Sequence, residues 1–453
     1  MITRRAAATG LAATLVGVGH RAGAQTASPS PVVESLKGNG LRWTVTAKPR
    51  SMRLLPGATT DADLWTFNDE LAPVFRLKHG AEVRLSLTNE TALPLSLHFH
   101  GVRGPNAMDG VGGLTQKPIA PSEGFDYAFA PPDPGTFLIR PCVLGGSAGP
   151  MERGLSALLI VEEANPPQVD QDITLAVDDW AVTEEGSLAI NPPNPIGHLG
   201  NFLSLNGSPT PQLIRGPLSG RLRLRLANAC NARIMRLRFD GLKTYVIAVD
   251  GQPSSIFEPL RATLPFAPGN RYDLLIDLPL QEGLAGRVTA MIGEGFRLLE
   301  IFAIGNKRGA LPAVAPLAPN PKLPNTIKLQ DATRKDVAIT GDPKKPNASW
   351  AINGAAGRPS NAPLVKVKRG TPVVLALKNE TTFVQPMHLH GHSFRLLHPL
   401  DDGWEPYWLD TVQVPENKTI RIAFVADNPG KWLLASTVME RFDAGLWTWI
   451  EVT

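Results

Sequence analysis

Two histidine pairs stand out among the nine histidines of this 453-residue chain: His98-Phe99-His100 and His388-Leu389-His390, with His392 just beyond. In an extended strand, residues i and i+2 point to the same side, so each pair offers two imidazoles to one point. Imidazole is a borderline ligand that suits copper, zinc, iron or nickel. A lone His-x-His is weak evidence, but these two sit at equivalent places in a repeat. Gly80 to Gly101 reads GAEVRLSLTNETALPLSLHFHG, and Gly370 to Gly391 reads GTPVVLALKNETTFVQPMHLHG. Should the two copies meet, His98, His100, His388 and His390 form one four-histidine metal site. His79, His198 and His398 are isolated and read as loop or solvent-facing residues.

The elements that carry these pairs read as strands. Alternating runs such as Glu82–Leu87, Arg221–Leu226 and Thr419–Phe424 have the period of two expected of half-buried strands. Prolines and glycines, 42 of each, are spread along the chain and punctuate it into short elements. A weaker third copy of the repeat, Gly220 to Gly241, ends Leu237-Arg238-Phe239-Asp240-Gly241. Three copies of one β unit predict an all-β chain of three homologous sandwiches, at 30–163, 168–308 and 324–453, joined by proline-rich linkers. Arg233, Arg236 and Arg238 read as a solvated strand face. Met151, Met387 and Met439 read as core filler, and Trp404, Trp408, Trp447 and Trp449 as packing residues.

The first 24 residues read as an export signal: Arg4 and Arg5, a weakly apolar run from Ala6 to Gly19, then Ala22-Gly23-Ala24 as a small-x-small cleavage pattern. The paired arginines point to the twin-arginine route and a periplasmic location. No run predicts a membrane span. The formal charge is +4, and loss of Arg4, Arg5 and Arg21 leaves about +1 (4 − 3), which gives no indication of a nucleic-acid partner. Two cysteines, Cys142 and Cys230, are too few for a disulfide framework. No organic-cofactor motif is present.

Over nearly all of the chain after the signal, the sequence resembles the multicopper oxidases, the laccases and their bacterial relatives. The residues that carry this are His98-Phe99-His100-Gly101, Asp109-Gly110-Val111, Pro132-Asp133-Pro134-Gly135-Thr136-Phe137, Val249-Asp250-Gly251, Pro268 to Asp273, Gln385 to His392 and Asp427 to Trp432. The resemblance implies three consecutive cupredoxin-like Greek-key domains. It places His98 and His388 at the type 2 copper and His100 and His390 at two type 3 positions. It also implies a proton-supplying acid at Asp109, although Asp109-Gly110 reads first as a structural turn.

The departures are severe. Arg140-Pro141-Cys142 stands where the family has His-Ser-His. The four type 1 positions hold Gln385, Ser436, Arg441 and Leu446, and four type 3 histidines are absent. Arg140 and Arg441 would bring fixed charge to the copper positions, repelling a metal yet able to stabilise an acid such as Asp109. The resemblance also brings the Cys142 sulfur near His100 and His390 as an optional soft ligand. The expectation is a mononuclear copper site on His98, His100, His388 and His390, in a protein that binds copper rather than completing laccase-type oxygen reduction. A divergent copper oxidoreductase acting on a small molecule is one alternative. The other is a metal-free periplasmic scaffold with a protein partner, resembling the cell-division cupredoxin proteins.

Overall fold

In the computed structural model, the described residues are 33–35, 41–190, 196–342, 350–401 and 403–453. The expected export signal lies outside them. Strands dominate, and the two α-helices among the described residues, Ala148–Glu152 and Met439–Asp443, are a single turn each.

Six sheets follow one another in pairs along the chain. The first third forms a five-stranded sheet and a four-stranded one. The middle third forms seven- and five-stranded sheets, and the last third two five-stranded sheets. One pattern of pairing recurs in each third. Leu41–Met52 runs parallel to Val83–Asn89, Gln171–Trp180 to Arg221–Asn228, and Thr333–Thr340 to Thr371–Asn379. In the companion sheets, Val74–Lys78 runs parallel to Ala157–Glu162, Gln212–Leu218 to Phe296–Lys307, and Val365–Val367 to Trp447–Val452. The sequence repeat is therefore a repeat of structure, and the fold is an all-β, multi-domain cupredoxin architecture.

The Asn-Glu-Thr motif shows why the repeat fixes the histidine strands. Asn89 and Asn379 each end a strand. The Asn89 carboxamide oxygen accepts from Thr91 N and Oγ1 at 3.0 and 2.7 Å, and that of Asn379 accepts from Thr381 N and Oγ1 at the same distances. Asn89 Nδ2 donates to Leu93 O at 2.9 Å, and Asn379 Nδ2 to Phe383 O at 2.7 Å. Each asparagine thus folds the chain into a local turn, as its short side chain allows. That turn launches the strands Leu97–His100 and Gln385–Leu389, all of whose residues are buried.

Burial follows the predicted alternation in Val83–Asn89, where every second residue is fully buried. It departs from it in Arg221–Asn228, which is buried throughout. There Arg223 and Arg225 share Asp273, and reach Glu163 and Asp172 respectively. Paired guanidinium groups let both faces of an alternating strand enter the interior. The expected solvated face at Arg233, Arg236 and Arg238 also needs correction. Arg236 and Arg238 are exposed, but Arg233 is largely buried and pairs with Asp179 at 2.7 Å. Cys142 and Cys230 are both free and buried.

Candidate metal centre

The two histidine strands meet. His98 stacks on His390 with ring centroids 3.8 Å apart, and His100 on His388 at 3.6 Å. His98 Nε2 faces His388 Nε2 at 3.3 Å. All four imidazoles are at most 2 % exposed. Two sets of ligand atoms within 4.8 Å of one another share His98: one with His100 and His388, the other with Asp109 and His390.

The hydrogen bonds fix where the lone pairs point. His98 Nδ1 and His388 Nδ1 each lie 2.8 Å from a backbone carbonyl, of Asp109 and Asp410 respectively. A carbonyl only accepts, so both Nδ1 atoms carry the proton and both Nε2 atoms carry a lone pair. Thr411 Oγ1 has one hydrogen, which it gives to Asp410 Oδ1 at 2.7 Å. It must therefore accept from His100 Nε2 at 2.8 Å, which leaves His100 Nδ1 as a lone pair with no partner among the described residues. His390 Nδ1 donates to the Asp109 carboxylate at 3.0 Å, so its Nε2 is also free to accept a cation. Burial favours the neutral form of three of the rings: it lowers His100 well below its ordinary value, His388 to about 4 and His390 to about 3.

Two facing lone pairs 3.3 Å apart repel unless a proton or a metal cation lies between them. That separation puts both nitrogens within reach of one metal ion of the kind imidazole would bind. The donor set is imidazole backed by carboxylates, and it fits copper.

The supporting residues come from all three thirds of the chain. Asp410 holds His388 and, through Thr411, His100. Burial opposes its ionisation, yet the Arg271 guanidinium keeps Asp410 well below the usual carboxylate range. Arg271 is fully buried, and all five of its N–H donors are satisfied, by Thr136 O, Gly269 O, Asp250 O and both Asp410 oxygens. Burial, and then the neighbouring Asp410 charge, push Asp250 up to about 7. Gly269, at φ 86°, packs on His100; a β-carbon there would lie 2.7 Å from the ring. Asp109 holds His98 by its carbonyl and His390 by its carboxylate, a larger role than a turn.

Asp410 and Thr411 drew no attention in the sequence. Their place follows from the pairing of His388 with Thr411 across antiparallel strands, a register that no local motif announces. Cys142 stands apart from both ligand sets. Its backbone is held by Ser96 O and Gly112 N, and its side chain packs with Val111, Met151, Leu433 and Met439. Burial pushes its thiol up, so it presents no thiolate at neutral pH. Arg140 lies opposite His98 in the strand pair. It makes no ion pair with Asp109 among the described residues, and burial lowers it to about 10. His392 is buried and bonded to His390 O, outside both sets.

The positions assigned by resemblance to the type 1 copper hold another network. Arg441 Nη1 donates to Gln385 Oε1 at 2.8 Å and to Val384 O at 2.7 Å, and its guanidinium lies over the rings of Trp350 and Phe383. Ser436 Oγ accepts from Val438 N, and Leu446 is fully buried. Arg441 therefore fills this volume and makes no ion pair among the described residues.

Two family models, both described as multicopper oxidase, match residues 50–166 and 318–453. The chain is 26% identical over 437 residues to the multicopper oxidase MmcO of Mycobacterium tuberculosis, covering 87% of this chain and 84% of that protein. It is also 26% identical over 451 residues to the cell division protein FtsP of Sodalis glossinidius, covering 92% and 89%. A solved multicopper oxidase from Pseudomonas thermotolerans superposes with a TM-score of 0.82 at 28% identity, over 91% of this chain and 99% of that one. With the repeated sheets, the histidine strands and these likenesses together, the chain belongs to the multicopper oxidase family.

Proposed function

We propose that this protein binds a single copper ion on His98, His100, His388 and His390, between the first and third cupredoxin domains, and does not carry out laccase-type oxygen reduction. The domain limits are those proposed from the repeat, 30–163, 168–308 and 324–453. The observation that carries the reading is the pair of facing Nε2 lone pairs of His98 and His388, each held in place by a backbone carbonyl. Copper, when bound, would supply a Lewis-acidic and redox-active centre. The chain's own contribution is to bury four imidazoles, orient them through Asp109 and Asp410, and exclude water. The loss of laccase turnover rests on Gln385, Ser436, Arg441 and Leu446, which offer no soft-ligand set for accepting substrate electrons. A copper oxidoreductase acting on a small molecule would need another electron entry. Export to the periplasm by the twin-arginine route completes the proposal.

A second reading, a metal-free scaffold, is favoured by the buried charge of Arg140 beside the histidines and by the likeness to FtsP. Copper titration of the purified full chain separates the two. The copper reading predicts saturable binding that His98→Ala with His388→Ala abolishes, without oxidation of a phenolic dye. Binding indifferent to that double substitution would sink it.

A further inference from the structure

Arg140 makes no ion pair among the described residues, and Asp410 acts on it only at longer range. Arg140 is 4 % exposed, and its Nη1 has no acceptor among the described residues. The acids of the centre are committed elsewhere: Asp410 to Arg271, and Asp109 to His390 and His98. The fold is able to saturate buried guanidinium groups. Arg271 has every donor satisfied, and Arg441 reaches Ile196 O, Val384 O and Gln385. Arg140 differs from both and lies opposite His98, where its charge acts on His100 and His388. His100 Nδ1, in the same centre, also lacks a partner among the described residues.

We infer that Arg140 binds a small oxyanion that enters together with the metal, so that the histidine centre takes up copper and anion as a pair. The inference rests on the copper reading above. A cation on these imidazoles meets the Arg140 charge in a poorly screened interior, and an anion between the two offsets both charges. A guanidinium presents N–H donors in a planar fork that matches a planar oxyanion. The centre is closely packed, with rings stacked at 3.6 and 3.8 Å, so the test uses formate, the smallest carboxylate. Binding of the two ions is then reciprocal: each raises the affinity for the other by the same factor.

The test uses the full chain stripped of metal by chelation and titrated with copper(II), first in perchlorate buffer and then with formate replacing perchlorate at equal ionic strength. The expected result is copper affinity raised at least about tenfold by formate. In Arg140→Gln the formate effect disappears, and copper binds more tightly in perchlorate than it does to the unaltered protein. Arg140→Lys keeps the charge without the fork, so the repulsion persists and the formate effect shrinks. Copper affinity that formate leaves unchanged in the unaltered protein, or a formate effect that survives in Arg140→Gln, overturns the inference and leaves the copper reading standing. Absence of copper binding in every variant and buffer overturns both.

Discussion

Asp410 illustrates what single residues do in this centre. Its carbonyl sets the tautomer of His388, its carboxylate takes the Thr411 hydrogen that sets the tautomer of His100, and the same carboxylate neutralises Arg271. Asp410→Asn removes the carboxylate that pairs directly with Arg271 and leaves it only the more distant Asp250, at 3.9 Å. Breaking a buried pair from one side costs about 3–5 kcal/mol, so the urea midpoint should fall markedly. Copper affinity should fall about 10- to 100-fold with it, the usual effect of removing a group that orients a ligand. An unchanged midpoint would contradict the assigned role. The histidine pairs were legible because a repeat marks them twice. Asp410 was not, because a single acid before a four-residue strand carries no periodicity, and its partners lie 22 and 139 residues away. Cys142 lies in neither ligand set, and nothing in Arg140-Pro141-Cys142 tells that its side chain packs in an apolar cluster.

Among the elements, the strands were read well where one face meets solvent and poorly where ion pairs bury both. Thr419–Ala426 alternates as expected at its start, whereas Arg221–Asn228 has the same pattern and is wholly inside. The two short helices gave no sequence signal, since five residues are too few for a helical period. They are joined by Asp443, whose carboxylate accepts from Ser147 N at 2.9 Å and Ala148 N at 2.8 Å. Burial outweighs those bonds and pushes Asp443 up to about 6, from an unfolded value of about 4. The folded state therefore holds the extra proton between those values. The contribution of Asp443 to stability is full below the lower value and is lost as pH rises through the upper one. Asp443→Asn keeps an acceptor but cannot ionise. Its melting temperature relative to the unaltered protein should rise as pH increases from about 4 to about 7, followed by scanning calorimetry. A difference that does not vary with pH would contradict this.

At the scale of the whole molecule, the centre exists because the two ends of the chain close on the middle. Arg271, on the middle strand Arg271–Asp277, bonds Thr136 of the first third and Asp410 of the last, and so holds the two histidine strands in one frame. The all-β class and the repeat were visible in the sequence through Gly, Asn-Glu-Thr and His-x-His-Gly at matched spacing in the two outer copies, with a weaker middle copy at Gly220 to Gly241. The closure was not, because it depends on buried hydrogen bonds of one arginine to residues more than 130 positions away. The central claim is that this closure still serves a metal after the electron-accepting positions have been rebuilt around Arg441. Its most direct test is the metal content of the protein purified from copper-replete cells, set beside His98→Ala with His388→Ala. The account predicts about one copper per chain, without intense blue absorption, and none in the double variant. A metal content near zero in the unaltered protein, or one that the double variant retains, would contradict it.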